Sequence, residues 1–409
     1  MNQSTTQARL LDSNDPLAKF RDQFVLHDNE VYLDGNSLGP LLTRVRDRLL
    51  VTIDQQWGQR LIRSWNEGWI DLPQTAAAKI APIIGAAPTN VICADSVSVN
   101  IFKLLAASLM LSPERTVILS VRDMFPTDLY MSEGLAGLLG PERCELRLAE
   151  MSQLEQSLDN TVNVLLMSQV NFRTGEAYDV RAITELAHNA GARVLWDLSH
   201  SAGVLPIDLE SNQVDFAVGC GYKFLNGGPG APAFVFVDPA LQPKLQQPLT
   251  GWMGHKSPFD FSARYEPAAG MDHFLAGTPG ILGLSALDAA LELWTEVPIA
   301  QVFEKSQRLT QFFIDLVEQA PELQSLKVIK PDARGSQVSL AHPDALPISQ
   351  ALIDSGLICD FRAPNLIRFG FAPLYTRYED LDTTVSNLVE IMSSGRYQAP
   401  RYRLTGKVT

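Results

Sequence analysis

The sequence predicts an α/β fold in two unequal domains, and three observations carry this. Short apolar runs alternate with helix-like stretches from about residue 75 to 290, the pattern of a mostly parallel sheet covered on both faces. The segment that follows mixes helices and strands and reads as a smaller α+β domain, with the boundary near 290–300. The chain has 409 residues and 46% hydrophobic content, ample for a buried core and too long for one ordinary domain.

Residues 1 to about 30 read as an arm with a short helix. Val31 to Leu33 form a short strand running into the turn Asp34-Gly35-Asn36-Ser37-Leu38-Gly39-Pro40, where Gly, Asn and Pro mark the change of direction. A helix is expected from Thr43 through Trp57. Asn90 to Cys93 reads as a strand, followed by a helix over Ser96–Met110 that Ser96 opens as a cap. Thr116–Ser120 and Val162–Met167 are strands. Ile183–Ala190 is a helix stopped by Gly191. Arg193–Asp197, Phe216–Gly219 and Ala233–Val237 are further strands. A helix over about Leu282 to Trp294 leads into the last segment. There, helices near 298–319 and 346–355 accompany strands near 325–340 and 366–370.

Composition narrows the function classes. The formal charge is −13 (33 basic against 46 acidic residues). An acidic surface disfavours nucleic acid and anionic membranes, and suits a small-molecule enzyme with a local cationic pocket. Cys93, Cys144, Cys220 and Cys359 form no CxxC pair, so no metal site is expected. Dispersed thiols, a polar start at Met1-Asn2-Gln3-Ser4 and no long apolar run point to the cytoplasm.

Ligands of open α/β sheets bind at the carboxyl ends of the strands. Asp197-Leu198-Ser199-His200 follows one strand end, and Cys220-Gly221-Tyr222-Lys223 follows the next. A lysine between apolar strands, ahead of the turn Gly227-Gly228-Pro229-Gly230, can form a Schiff base. Asp197 and Lys223 are 26 residues apart, one strand–helix–strand step. Pyridoxal phosphate (PLP) chemistry needs this pair: an aspartate that keeps the pyridinium nitrogen protonated and a lysine that carries the aldehyde. Asp95-Ser96-Val97-Ser98 opens a helix, and its free amides suit a phosphate. Phe125 and Asp128 offer a stacking ring and a carboxylate after another strand. The ordinary readings are a capping aspartate, a surface lysine, a simple N-cap and a core phenylalanine. No Walker or dinucleotide glycine motif competes.

Together these motifs resemble kynureninase, a fold-type I PLP enzyme of the class V aminotransferase-like group. The resemblance rests on Tyr32-Leu33-Asp34-Gly35-Asn36-Ser37-Leu38-Gly39, Phe125-Pro126-Thr127-Asp128, Asp197-Leu198-Ser199-His200 and Gly221-Tyr222-Lys223. It continues through Trp252-Met253-Gly254-His255, Phe274-Leu275-Ala276-Gly277-Thr278-Pro279, Cys359-Asp360-Phe361-Arg362 and the stretch Ile367–Tyr375. It covers about residues 30 to 390.

The resemblance implies a large PLP-binding domain with a seven-stranded, mostly parallel sheet over 51–295, a small C-terminal domain over 296–409, and an N-terminal segment, 1–50, that belongs with the small one. It implies hydrolytic cleavage of the Cβ–Cγ bond of L-kynurenine to anthranilate and L-alanine, in tryptophan catabolism, by a homodimer. Lys223 and Tyr222 would be catalytic. Val97, Ser98, Phe125, Pro126, Thr127, Asp128, Ser168, Asp197, His200, Tyr222, Trp252 and Thr278 would contact the cofactor. Trp252 and Thr278 would do so across the dimer interface. Arg368 would clamp the substrate carboxylate, with Arg362 next in line, and Trp65 would flank the substrate ring. Thr278 departs from the asparagine of animal members, which leaves open the choice between kynurenine and its 3-hydroxy form. The alternatives are a cysteine desulfurase, an aminotransferase or a catalytically silent PLP-fold binder. Against a desulfurase, Tyr222 rather than histidine precedes the lysine.

Overall fold

The computed structural model describes residues 3–403. Met1, Asn2 and residues 404–409, the ends of the expected arm and small domain, lie outside the described residues.

A two-residue strand, Val31–Tyr32 (β1), precedes the main sheet. Seven strands follow: Val91–Ala94 (β2), Val117–Val121 (β3), Glu145–Ala149 (β4), Val162–Ser168 (β5), Arg193–Asp197 (β6), Phe216–Cys220 (β7) and Ala233–Val237 (β8). They lie in the order β2-β8-β7-β6-β5-β3-β4. Neighbours run parallel except at β8, which is antiparallel to both β2 and β7. The α/β class and the mostly parallel seven-stranded sheet are therefore as expected. Helices such as Leu72–Ile80 and Val97–Leu111 pack on the sheet, and β2, β3, β5, β7 and β8 are buried along their whole length. Burial on both faces is why these strands read as unbroken apolar runs. The edge strand β4 was not expected from the sequence. Its Glu145 is exposed and Arg147 half-buried, so it lacks that signature.

The helix expected over Thr43–Trp57 is α-helical only from Thr43 to Val51 and continues as wider π-helical turns over Thr52–Arg60. The Thr52 hydroxyl bonds back to the Arg48 carbonyl at 2.9 Å, and Gly58 weakens the ladder further.

A second sheet contains Lys327–Ile329 (β9), Gln337–Ala341 (β10), Asp360–Arg362 (β12) and Leu366–Gly370 (β13), all antiparallel, in the order β12-β13-β10-β9. Leu357–Ile358 (β11) pairs in parallel with β1. Helices Ile299–Gln319, Ala345–Ile353 and Tyr378–Ser394 complete this layer. It has its own apolar core, built from residues such as Leu309, Phe313, Ile348, Phe369 and Leu388. The N-terminal arm serves both cores: Ala8 and Leu33 join the smaller, while Leu17, Phe20, Phe24 and Leu42 join the larger. Asp12 accepts the Tyr378 and Glu379 amides at 2.8 and 2.9 Å, which caps the last long helix. Among the described residues no helix is long and apolar enough to cross a membrane.

Candidate active site

Parallel strands bring their carboxyl ends to one edge of the sheet, and the expected polar residues gather there. Asp95–Ser98 follows β2, Met124–Asp128 follows β3, Ser168 ends β5, Asp197 ends β6, and Tyr222 and Lys223 follow β7. A cavity of about 250 Å³ opens among them. Val97, Ser98, Phe125, Thr127, Asp128, Ser168, Asp197, His200, Tyr222 and Lys223 all line it. Ser168 and Asp197 are direct partners in the β5–β6 register. A second cavity of about 490 Å³, lined by Arg21, Leu38 and Asn226, contains neither Lys223 nor Asp197.

Lys223 Nζ lies 5.8 Å from the centre of the Phe125 ring and 5.9 Å from that of Tyr222. The turn that carries it is held from outside, where Gly39 donates its amide to the Tyr222 carbonyl at 2.8 Å. A Cβ at Gly39 would fall 2.3 Å from the Lys223 carbonyl oxygen, so this approach requires glycine. Phe125 is placed by the residue after it. Pro126 occupies the first position of the helix Pro126–Leu139 and forces Phe125 into extended backbone. Pro126 itself does not line the cavity; it sets its two neighbours, which do.

Asp197 is buried, and its Oδ1 accepts both the amide and the hydroxyl of Ser199, at 2.9 and 2.6 Å. Ser199 was not singled out in the sequence; the signal was its position two residues beyond an aspartate. Phe172, also missed, lines the cavity and meets Phe125 edge-on with ring centres 5.3 Å apart. Nothing local in the sequence points to that contact.

The charges of the site are set by burial. Asp128 is fully buried, and neither of its carboxyl oxygens has a partner. Desolvation and the nearby Asp197 push its pKa well up, against the pull of Lys223. Burial pushes Asp197 up too, but Lys223 and the two Ser199 hydrogen bonds oppose it. Asp128 is thus pushed up by burial and by its acidic neighbour together, whereas the rise of Asp197 is opposed by Lys223 and Ser199. His200 is driven well down by burial, then by the positive charges of Lys223, Arg368 and Arg362, and stays neutral. Burial, with Cys220 and Asp197 adding to it, raises Tyr222, which keeps its proton.

Comparison with known proteins agrees with this geometry. Residues 302–388 match the family model of the kynureninase C-terminal domain. A kynureninase of Deinococcus radiodurans is 47% identical over 395 residues, covering 94% of this chain and 96% of that one. The chain belongs to the kynureninase family. A second kynureninase, from Burkholderia mallei, is 43% identical over 412 residues, covering 98% of this chain and 99% of that one. Among solved structures, a C-DES mutant with glycine covalently linked to its PLP cofactor superposes with a TM-score of 0.79 at 18% identity, over 90% of this chain and 99% of that one. That likeness shows the fold, the fold-type I architecture.

Besides Pro126 and the second clamp candidate Arg362, four of the expected residues of this kynureninase-family chain stand outside the Lys223 cavity. Thr278 is exposed and lines an adjoining cavity of about 330 Å³ that shares Asp95 and Gly230 with the first. Trp252 is 39% exposed and meets Phe259 edge-on. Trp65 is half-buried against Trp69, at 5.9 Å between ring centres. Arg368 is buried in β13. Its Nε donates to Asp360 Oδ1 at 2.9 Å, its Nη2 to Asp360 and to Ser37, and its Nη1 to the Phe172 carbonyl at 2.7 Å. The structural ion pair with Asp360 is therefore present. Arg362 shares the same carboxylate at 2.7 Å and is more open to solvent.

Proposed function

We propose that this chain is a PLP-dependent hydrolase that cleaves the Cβ–Cγ bond of L-kynurenine, giving anthranilate and L-alanine. The observation that carries this reading is the convergence of Lys223, Tyr222 and Asp197 on one cavity in a chain 47% identical to a kynureninase.

The residues present fit the cofactor. Val97 and Ser98, in the first turn of the helix Val97–Leu111, line the cavity, where a phosphate would gain from the helix start. The Asp197 carboxyl, fixed by Ser199, lines the same cavity and would hold a proton on the ring nitrogen of the cofactor. Asp128, buried without a partner, has hydrogen-bonding capacity left for the same edge. Phe125 would stack on the ring, and neutral His200, which lines the same cavity, would add no charge. When bound, PLP supplies an electron sink for charge developing at the substrate Cα.

The remaining chemistry belongs to the chain. Lys223 would hold the cofactor, and its amine would take the proton from the substrate Cα. Tyr222 keeps its proton near neutral pH, so it acts as the general acid at the oxygen of the side-chain carbonyl and its hydrate. Arg368 clamps the substrate carboxylate, with Arg362 as the second candidate. Two guanidinium groups share the one carboxylate of Asp360, which leaves positive charge for an anionic substrate. Orientation of the scissile bond then follows from holding the carboxylate and the aromatic ring at opposite ends.

The division into an arm (1–50), a PLP-binding domain (51–295) and a small domain (296–409) is part of this proposal. The two separate cores support it. So is a cytoplasmic homodimer in tryptophan catabolism. Trp57, Leu61, Ile62 and Phe261 are 56%, 56%, 77% and 80% exposed, an apolar surface that a second copy would cover. In such a dimer Trp65, Trp252 and Thr278, which stand outside the Lys223 cavity of their own chain, would reach the site of the second copy. Desulfurase chemistry is disfavoured, because all four cysteines are buried. The test is the release of L-alanine from L-kynurenine by the PLP-loaded protein, followed by amino-acid analysis. An absence of alanine overturns the proposal.

A further inference from the structure

Lys103 is an unexpected residue where it stands. It lies in the helix Val97–Leu111 among Ile101, Leu104, Leu105 and Ala107, and its side chain is fully buried. A lysine in an apolar interior is costly unless paired. Its Nζ donates to Asp95 Oδ2 and to the Phe274 carbonyl, each at 2.5 Å.

Both partners border the cavities already described. Asp95 is the turn between β2 and the helix, with a left-handed φ of 45°, a conformation that aspartate tolerates better than most residues. Its amide-side geometry places Ser96 as the cap, whose Oγ accepts the Val99 amide at 3.4 Å. Asp95 lines the same cavity as Val97, Ser98 and Lys223. Phe274 ends a short turn and leads into Leu275–Thr278, which lines the adjoining cavity. A carboxylate beside a helix start that receives an anion is electrostatically unfavourable. The Asp95 side chain is 35% exposed, so solvent alone screens it only in part.

We propose that Lys103 is a positioning residue for the phosphate end of the site, where it neutralises Asp95 from the protein interior and ties the helix start to the Thr278 loop. This rests on reading the Lys223 cavity as the PLP site. Lys103 touches no ligand itself. It acts through Asp95, so its effect follows the phosphate charge and not the pyridine ring.

The experiment compares apo protein of wild type, Lys103→Met, Asp95→Asn and the double variant by equilibrium titration, well below each unfolding midpoint. The probes are PLP, pyridoxal (the same ring without phosphate) and inorganic phosphate. Lys103→Met is expected to weaken PLP and inorganic phosphate by at least about tenfold and pyridoxal by less than about twofold. Adding Asp95→Asn is expected to restore most of the loss. Asp95→Asn alone keeps an acceptor for Lys103 and removes the negative charge, so inorganic phosphate binds more tightly; this single variant carries the test if Lys103→Met does not fold. Equal weakening of PLP and pyridoxal, no weakening of either phosphate probe, or looser phosphate binding in Asp95→Asn overturns the proposal. A wild type that takes up neither PLP nor pyridoxal defeats the cofactor reading instead, and inorganic phosphate then still reads the role of Lys103.

Discussion

Arg368 donates from Nη1 to the carbonyl oxygen of Phe172 at 2.7 Å, and Phe172 in turn stands edge-on to Phe125. The guanidinium of the small layer thus holds the wall of the cavity in the large one. Ser339 and Gln337 reinforce the seam, donating to the Arg173 and Phe172 carbonyls at 2.6 and 3.1 Å. In the proposed clamp a substrate carboxylate would compete at Nη1 with the neutral Phe172 carbonyl, while Nε and Nη2 are engaged by Asp360.

Arg368→Lys keeps the charge and loses the planar fork. The expected result is a rise of roughly ten- to a hundredfold in KM for kynurenine with a smaller change in kcat. Steady-state kinetics on the PLP-loaded variant check this. An unchanged KM would leave Arg368 as a structural partner of Asp360 and move the clamp to Arg362.

Tyr222→Phe removes one hydroxyl and no ring. With its proton held by burial, Tyr222 is the proposed acid at the carbonyl oxygen. Loss of that acid is expected to lower kcat by about a hundredfold or more while PLP uptake persists. Single-turnover measurements decide it, and a kcat within about twofold of wild type removes Tyr222 from the acid–base step.

Much of this site was legible in the sequence because strand ends carry ligands and chain spacing reveals strand ends. Arg193–Asp197 and Ala233–Val237 form where the apolar runs place them, and Asp197 and Lys223 open on one cavity. What stayed hidden depends on contacts between distant segments. Phe172 is held at the cavity by Phe125 and by Arg368, 196 residues away. Asp95 gains its meaning from Lys103 buried behind it. Edge strand β4 lacks the continuous burial that marks its neighbours. The first amides of helix Tyr378–Ser394 are capped by Asp12 of the N-terminal arm, 366 residues away.

Asp34 sets a pH dependence of stability. Burial, then the charge of Asp360, pushes it up to about 7 from 3.8, against Ser37 and Arg368. Tyr32, Tyr375, Cys359 and Arg362 also feel its charge. Between those two pH values the folded chain binds a proton that the unfolded chain does not. Stability from this group is therefore full below about pH 4 and is lost as pH rises to about 7. Asp34→Asn cannot ionise, so its stability relative to wild type should improve across that window. Urea unfolding at a series of pH values reads the difference; a constant difference would show that Asp34 does not titrate there.

The central claim is that Lys223 carries the cofactor that breaks the Cβ–Cγ bond of kynurenine. Its most direct test is anthranilate fluorescence after L-kynurenine is added to PLP-loaded wild type and Lys223→Ala. Wild type should show an absorbance band near about 420 nm and release anthranilate, and Lys223→Ala should show neither. Wild type with the band intact and no anthranilate, or Lys223→Ala with undiminished release, would contradict the account.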